Sequence, residues 1–212
     1  VGVGSTIIRA ALGSVVSNNA TLTVINATLQ TITLAPATAT IAVRTSLQFI
    51  ATGNFSGGIT QDLTRLATWS SANTAIATVS NADKSQGVAR GVSPGGPITI
   101  TASFAGIPGT TNLTVVTGTL TGIAILPLTA NVAVGLTQQF RANGTFSFTG
   151  GSFTQDLTRQ VVWNSDTPSV AVTSNGFFNR GLVTALGAGT ASISARKPSI
   201  TVPIVPATIT VP

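Results

Sequence analysis

The sequence predicts an all-β chain of tandem two-layer sandwiches. Three observations carry that prediction: short runs in which apolar and hydroxyl residues alternate, Gly and Pro clusters between the runs, and an internal repeat. The alternation is plainest in Ile98-Thr99-Ile100-Thr101-Ala102-Ser103-Phe104, where every second side chain is apolar. A period of two belongs to a strand with one face on a core and one in water. Ser46 to Ala51 repeats the pattern with Leu47, Phe49 and Ala51 inward, and Thr40 to Val43 adds a shorter run. Pro94-Gly95-Gly96-Pro97 and Ile107-Pro108-Gly109 mark turns between them. Nothing reads as helix for more than a turn, and about seven or eight short strands fit each stretch of roughly 90 residues.

The repeat fixes the organisation. Thr60-Gln61-Asp62-Leu63-Thr64-Arg65 recurs letter for letter as Thr154-Gln155-Asp156-Leu157-Thr158-Arg159, 94 residues later (154 − 60). The only tryptophans, Trp69 and Trp163, keep the same offset (163 − 69). Pro36 to Phe49 aligns with Pro127 to Phe140 at an offset of 91 (127 − 36), so the second copy carries three extra residues before Asp156. They fall in Phe146-Ser147-Phe148-Thr149-Gly150-Gly151-Ser152-Phe153 and are expected in a loop. The closing strand Asn112-Leu113-Thr114-Val115 has relatives in Ala20 to Val24 and in Thr208 to Val211. The chain therefore divides into residues 1–25, the last two strands of a preceding repeat, and complete repeats at 26–117 and 118–212. The orphan strands, Thr6 to Leu12 and Ala20 to Val24, turn Ile8, Ala10, Leu12, Leu22 and Val24 toward a core that this chain does not supply. Links as short as Val24 to Leu29 and Val115 to Leu120 predict a rod-like array of about 40 Å per sandwich.

The order of motifs carries a family resemblance. A Pro-containing first strand is followed by Leu47-Gln48-Phe49-Ile50-Ala51, the Thr-Gln-Asp-Leu-Thr-Arg turn and Thr68-Trp69-Ser70-Ser71. Ile76-Ala77-Thr78-Val79, a strand bounded by Gly87 and Gly91, and Thr99-Ile100-Thr101-Ala102 complete it. This closely resembles the group 2 bacterial immunoglobulin-like domain over essentially the whole chain. The resemblance implies immunoglobulin-like β-sandwiches without a disulfide, each with a buried Trp on a middle strand. It also implies tandem arrays on bacterial surface proteins, including adhesins, or on phage tails and capsids. The second copy departs from the pattern where Ala171-Val172-Thr173 replaces Ala77-Thr78-Val79 and where Pro198, Pro203 and Pro206 crowd the final hairpin.

Composition narrows the chemistry. With no Cys and no His, thiolate and imidazole ligands, disulfides and the commonest general base are all missing. The only acids are Asp62, Asp83, Asp156 and Asp166. Apolar residues make up 43% of the chain but are interrupted every few positions, so no run approaches the roughly 20 residues of a membrane span. A charged fraction of 7%, offset by Thr, Ser and Asn, is the profile of a secreted β-protein. The net charge of +6 comes from scattered basic residues without interleaved aromatics, which predicts no nucleic-acid partner. The chain begins at Val1 without a leader and reads as a processed or internal piece.

Each conspicuous residue has a structural reading beside a functional one. Asp62 and Asp156 could be cation ligands, but a calcium loop clusters several oxygens, and an Asp two residues before a Thr shapes a turn. Trp69 and Trp163 could stack on sugars, but the alternations Ala67/Trp69 and Val161/Trp163 turn them inward with Phe49 and Phe140 as core. The abundant Ser lacks a base, and the Gly pairs precede no helix that could hold phosphate. Asn19, Asn26, Asn54, Asn112 and Asn143 each head an Asn-x-Ser/Thr sequence, little more than chance allows. Phe146, Phe148 and Phe153 are a candidate contact loop, the alternative being a hairpin tucked into the sandwich edge.

These readings converge on a non-enzymatic structural or adhesive stalk segment, extracellular or on the cell surface, with no cofactor and no metal. Its expected partners are neighbouring repeats or subunits through strand complementation, with surface glycans or host proteins as candidates. The alternatives are a virion element and a carbohydrate-binding module.

Overall fold

The computed structural model describes residues 2–198 and 200–212. Among the described residues almost every element is a strand, and the one helical turn is Ser56–Gly58. Two separate apolar cores form, one around Phe49 and Trp69 and the other around Phe140 and Trp163.

In the first sandwich, one layer orders Thr68–Ser71, Gly95–Phe104, Ile107–Val116 and Thr38–Ala42, the last pair running parallel. The facing layer contains Ala77–Val79, Val88–Gly91 and Ser46–Gln48, then Leu29–Ala35, Ile50–Phe55 and Ile59–Asp62. Its two parts share one segment of chain, interrupted only at Phe49, whose N–H donates to the Gly87 carbonyl at 2.9 Å. The first strand changes layers at Pro36, as its counterpart does at Pro127. Proline has no N–H to continue the ladder, so a break there costs nothing. Ile98, Ile100 and Ala102 are buried, as are Leu113 opposite Ile98 and Val115 on the same partner strand, so the period of two falls on the core. The tight turn between these strands has positive φ at Ala105 and Gly106, the backbone of a two-residue hairpin.

The second sandwich repeats this plan, with Val162–Ser165, Gly189–Arg196, Ala207–Val211 and Thr129–Asn131 in one layer. Ala171–Thr173 pairs with Leu182–Ala185 and has the same burial pattern as Ala77–Val79, so the exchange of Thr and Val leaves the register intact. One local expectation changes. The extra residues do not make a loop: Arg141–Phe148 and Gly151–Asp156 form a longer hairpin, with Phe146 opposite Phe153. In the Pro-rich final hairpin, Ile204–Val205 runs parallel to Thr119–Leu126, and the flanking Pro203 and Pro206 have no N–H with which to extend that ladder.

Residues 4–24 form a hairpin apart from both cores. Gly4–Ile8 pairs with Ala20–Val24, and a smaller ladder joins Ala11–Leu12 to Val15–Val16. The expected single strand Thr6 to Leu12 is broken at Arg9 and Ala10, where the Ser17 hydroxyl accepts the Ala10 N–H at 3.0 Å. One register detail relates this hairpin to both sandwiches. Gly4 faces Val24, Gly95 faces Val115 and Gly189 faces Val211, and all three glycines have φ between 138° and 155°.

Candidate functional site

The hexapeptide that repeats letter for letter builds the same polar frame twice. The Asp62 carboxylate accepts the Thr64 N–H at 2.8 Å, and Asp156 accepts the Thr158 N–H at 2.7 Å. Each Thr hydroxyl then accepts a strand N–H, from Ala51 at 2.9 Å or Ala142 at 3.0 Å. Each Thr carbonyl accepts the indole N–H, from Trp69 at 2.9 Å or Trp163 at 3.0 Å. The main chain of each Trp is gripped from the other side by a single amide, Asn81 or Asn175, which both donates and accepts. The Thr64 hydroxyl and N–H hold the Asp62 carboxyl below its ordinary value of 3.8, with Arg65 adding a smaller electrostatic contribution. Asp166 is lowered by the Ser192 N–H and the Thr167 hydroxyl.

The aromatic residues sort by burial. Trp69, Trp163, Phe49 and Phe140 are all buried, and both indoles rest on glycine: a Cβ on Gly87 or Gly181 would meet the Trp ring at 2.8 Å. Phe146 is buried too and stacks on Phe153 with centroids 5.3 Å apart, while Phe148 packs edge-on to Phe153 at 5.9 Å. The three rings are thus a cluster within the hairpin, with Phe148 and Phe153 only partly covered. The exposed aromatic pair lies elsewhere. Phe177 and Phe178 stand edge to face at 5.0 Å, each 65% exposed, in a loop that sequence reasoning passed over. The available signal was two adjacent Phe residues between Gly176 and Asn179.

Chemistry-bearing groups do not converge. Among the described residues no three His, Cys, Asp or Glu side chains are close enough to hold a metal. In the shallow cleft lined by Gln48, Asp62, Thr64, Arg65, Lys84 and Arg159, the one hydroxyl, that of Thr64, is engaged by the Ala51 N–H and the Asp62 carboxylate and serves the turn. Among the described residues no helix is long and apolar enough to cross a membrane.

What does converge is the joint between the sandwiches. Gln155, 4% exposed, accepts the Thr45 hydroxyl at 2.9 Å and donates its amide to the Ser46 carbonyl at 2.9 Å. Gln160 brackets the same residue, accepting the Ser46 N–H and donating to its carbonyl, both at 3.2 Å. Ser46 opens the edge strand Ser46–Gln48, and its N–H and carbonyl are the backbone groups that the two Gln side chains meet, whereas those of Thr45 are bonded to Ala42 and Gly91 within the first sandwich. Ala42, from the first sandwich, belongs to the core of the second. The Lys84 ammonium sits over the Phe178 ring at 4.8 Å. Burial lowers the Lys197 pKa, and the nearby Arg90 charge lowers it further. Two side chains that make four hydrogen bonds to three groups across a joint, the Thr45 hydroxyl and the Ser46 N–H and carbonyl, are worth more in orientation than in energy, since each hydrogen bond nets only about 1 kcal/mol.

The chain is 39% identical over 211 residues to Ice-binding protein 1 of Shewanella frigidimarina; the match takes in 98% of the chain but 23% of that relative. Among solved structures, domains 5–6 of the S-layer protein SbsC align with 88% of this chain and 98% of theirs, at 20% identity and a TM-score of 0.49. Domains 4–9 of the same protein align with 99% of this chain and 35% of theirs, again at 20% identity and 0.49. Residues 119–199 match the family model of the bacterial Ig-like domain, group 2, and the sandwich they form belongs to that family.

Proposed function

We propose that the chain is a non-catalytic structural segment of an extracellular or cell-surface protein, a stiff series of Ig-like units that positions other parts of a longer polypeptide. The divisions are residues 1–25, the closing strands of one unit, followed by units at 26–117 and 118–212. The observation that carries the reading is the joint. Thr117 and Gly118 alone link the strands Ile107–Val116 and Thr119–Leu126, and Gln155 and Gln160 clasp the turn of the preceding sandwich. A connection that short, reinforced by side chains, suits a spacer and gives a hinge little room. Trp69 and Trp163 serve as core, Asp62 and Asp156 as turn formers, and the Phe146–Phe148–Phe153 cluster as edge packing.

Nitrogen-15 relaxation of the whole chain tests this. One diffusion tensor shared by both sandwiches is expected, and two independently tumbling halves would refute it. Immunolabelling of intact cells tests the location. The relative's name attributes ice binding to a protein about four times as long as the match, and on our reading this segment supports such a function without performing it. The isolated chain is therefore expected to give no thermal hysteresis; a measurable freezing-point gap would overturn that assignment.

A further inference from the structure

Two exposed surfaces, one on the hairpin that precedes the first sandwich and one on that sandwich itself, have buried counterparts elsewhere in the same molecule. The first is the hairpin. By the shared glycine register, Leu22 corresponds to Leu113 and Ile209, and Val24 to Val115 and Val211. Leu113 and Ile209 are 0% exposed, whereas Leu22 is 49% exposed. A Cβ on Gly95 would strike Ile76 at 2.8 Å and one on Gly189 would strike Val170 at 2.9 Å, yet one on Gly4 would meet nothing within 4 Å. The place over Gly4 that Ile76 and Val170 fill at Gly95 and Gly189 is thus open in this chain.

The second surface is made of the residues that correspond to the joint. Gln61 and Leu66 occupy in the first sandwich the places that Gln155 and Gln160 occupy in the second. Gln155 is buried against the Thr45–Ser46 turn, but Gln61 is exposed and Leu66 is 63% exposed. Where Gln160 brackets a polar backbone, Leu66 calls for an apolar contact. The second sandwich shows what such a turn looks like: the residues matching Val43 and Thr45 are Val134 and Leu136, both more than half exposed.

We propose that Gln61 and Leu66 form a docking socket for one further Ig-like unit of the same polypeptide, placed ahead of the first sandwich and closed by Gly4–Val24 as its last hairpin. This rests on the reading of the chain as serial units, and extends it to a specific interface. The occupant lays its turn on the socket as Thr45–Ser46 lies on Gln155 and Gln160, with an apolar side chain against Leu66. One unit thus covers both surfaces, which continues an interface the molecule already contains.

Hydrogen exchange compares the 212-residue chain with the longer polypeptide that carries one more unit ahead of Gly4. In the longer form, amides of Gly4–Ile8, Ala20–Val24 and Ile59–Leu66 are expected to exchange at least about tenfold more slowly. Leu66→Asp should abolish the slowing at Ile59–Leu66 and leave the hairpin protected. Because Leu66 is exposed in the shorter chain, that variant folds normally. Hairpin protection without any change at Ile59–Leu66 refutes the socket and leaves the serial reading standing; no slowing in either segment refutes both.

Discussion

Replacing Gly181 by Ala tests the packing of the second Trp more sharply than truncating the Trp itself. The residue sits at φ 77°, and an added Cβ would lie 2.5 Å from the Phe140 carbonyl oxygen and 2.8 Å from the Trp163 ring. Neither neighbour can give way easily. The carbonyl is held by the Gln139 amide at 2.7 Å, and the ring by its own N–H bond to Thr158. Two costs add: roughly 1–2 kcal/mol for an L-residue in the left-handed region and about 1–3 kcal/mol for overpacking a filled core. Gly135 separates them, since its φ of 83° is similar but an added Cβ there meets nothing within 4 Å. Gly135→Ala should then cost about 1–2 kcal/mol and Gly181→Ala roughly 2–5 kcal/mol, read by urea unfolding with Trp fluorescence. Gly87→Ala should resemble Gly181→Ala, because its surroundings are the same. Equal losses, within about 0.5 kcal/mol, at Gly181 and Gly135 would show that the ring moves freely and would sink the packing argument.

Trp69→Ala and Trp163→Ala should each destabilise their own sandwich by about 3–5 kcal/mol, measured by residue-resolved exchange that distinguishes the two cores. Asp62 and Asp166 both have folded-state pKa values below the ordinary 3.8, so their contribution is present above that pH and fades as pH falls through it. The midpoint of thermal unfolding should therefore decline only below about pH 4, and Asp62→Asn should flatten the decline; a slope between pH 5 and 8 would contradict the assignment. Gln155→Ala should leave both cores folded, at a cost of about 1–2 kcal/mol, but broaden the range of inter-sandwich angles in residual dipolar couplings. Unchanged couplings would mean that the clasp does not set the orientation.

The sequence was most informative where one position has one job. Alternation placed Ile98, Ile100 and Ala102 inward because a strand has only two faces, and both Trp residues followed from their neighbours Ala67 and Val161. The Asp-to-Thr turn could be read because an Asx residue bonds its own backbone two residues on. It was least informative where the outcome depends on a distant surface. Phe146 to Phe153 was expected in a loop because insertions between repeats fall in loops, with an edge hairpin as the alternative, and cross-strand stacking of Phe146 on Phe153 accompanies the longer ladder that forms. The Pro-rich stretch after Arg196 gave no hint that Ile204–Val205 would add to the opposite layer. Nor did Phe177 and Phe178 stand out, since they fall where the first copy has Asp83 and Lys84.

Gln61 and Gln155 show why letter-for-letter repetition does not imply repetition of role. Both sit in the same hexapeptide, and within each sandwich Asp, Leu and Thr of that hexapeptide do the same work, because their partners Ala51 and Ala142 or Trp69 and Trp163 are themselves repeated. The Gln side chain points away from its own core, so its environment is decided by what the preceding sandwich offers. For Gln155 that is a turn with a hydroxyl and a free carbonyl, and the amide is buried with both ends satisfied. An amide is well chosen for such a place. It donates and accepts at once, it carries no charge to desolvate, and left in water, as at Gln61, it costs almost nothing. The same residue can therefore be carried through a serial array, harmless where no neighbour is engaged and orienting where one is. The adjacent position, Leu66 against Gln160, then sets which neighbour fits.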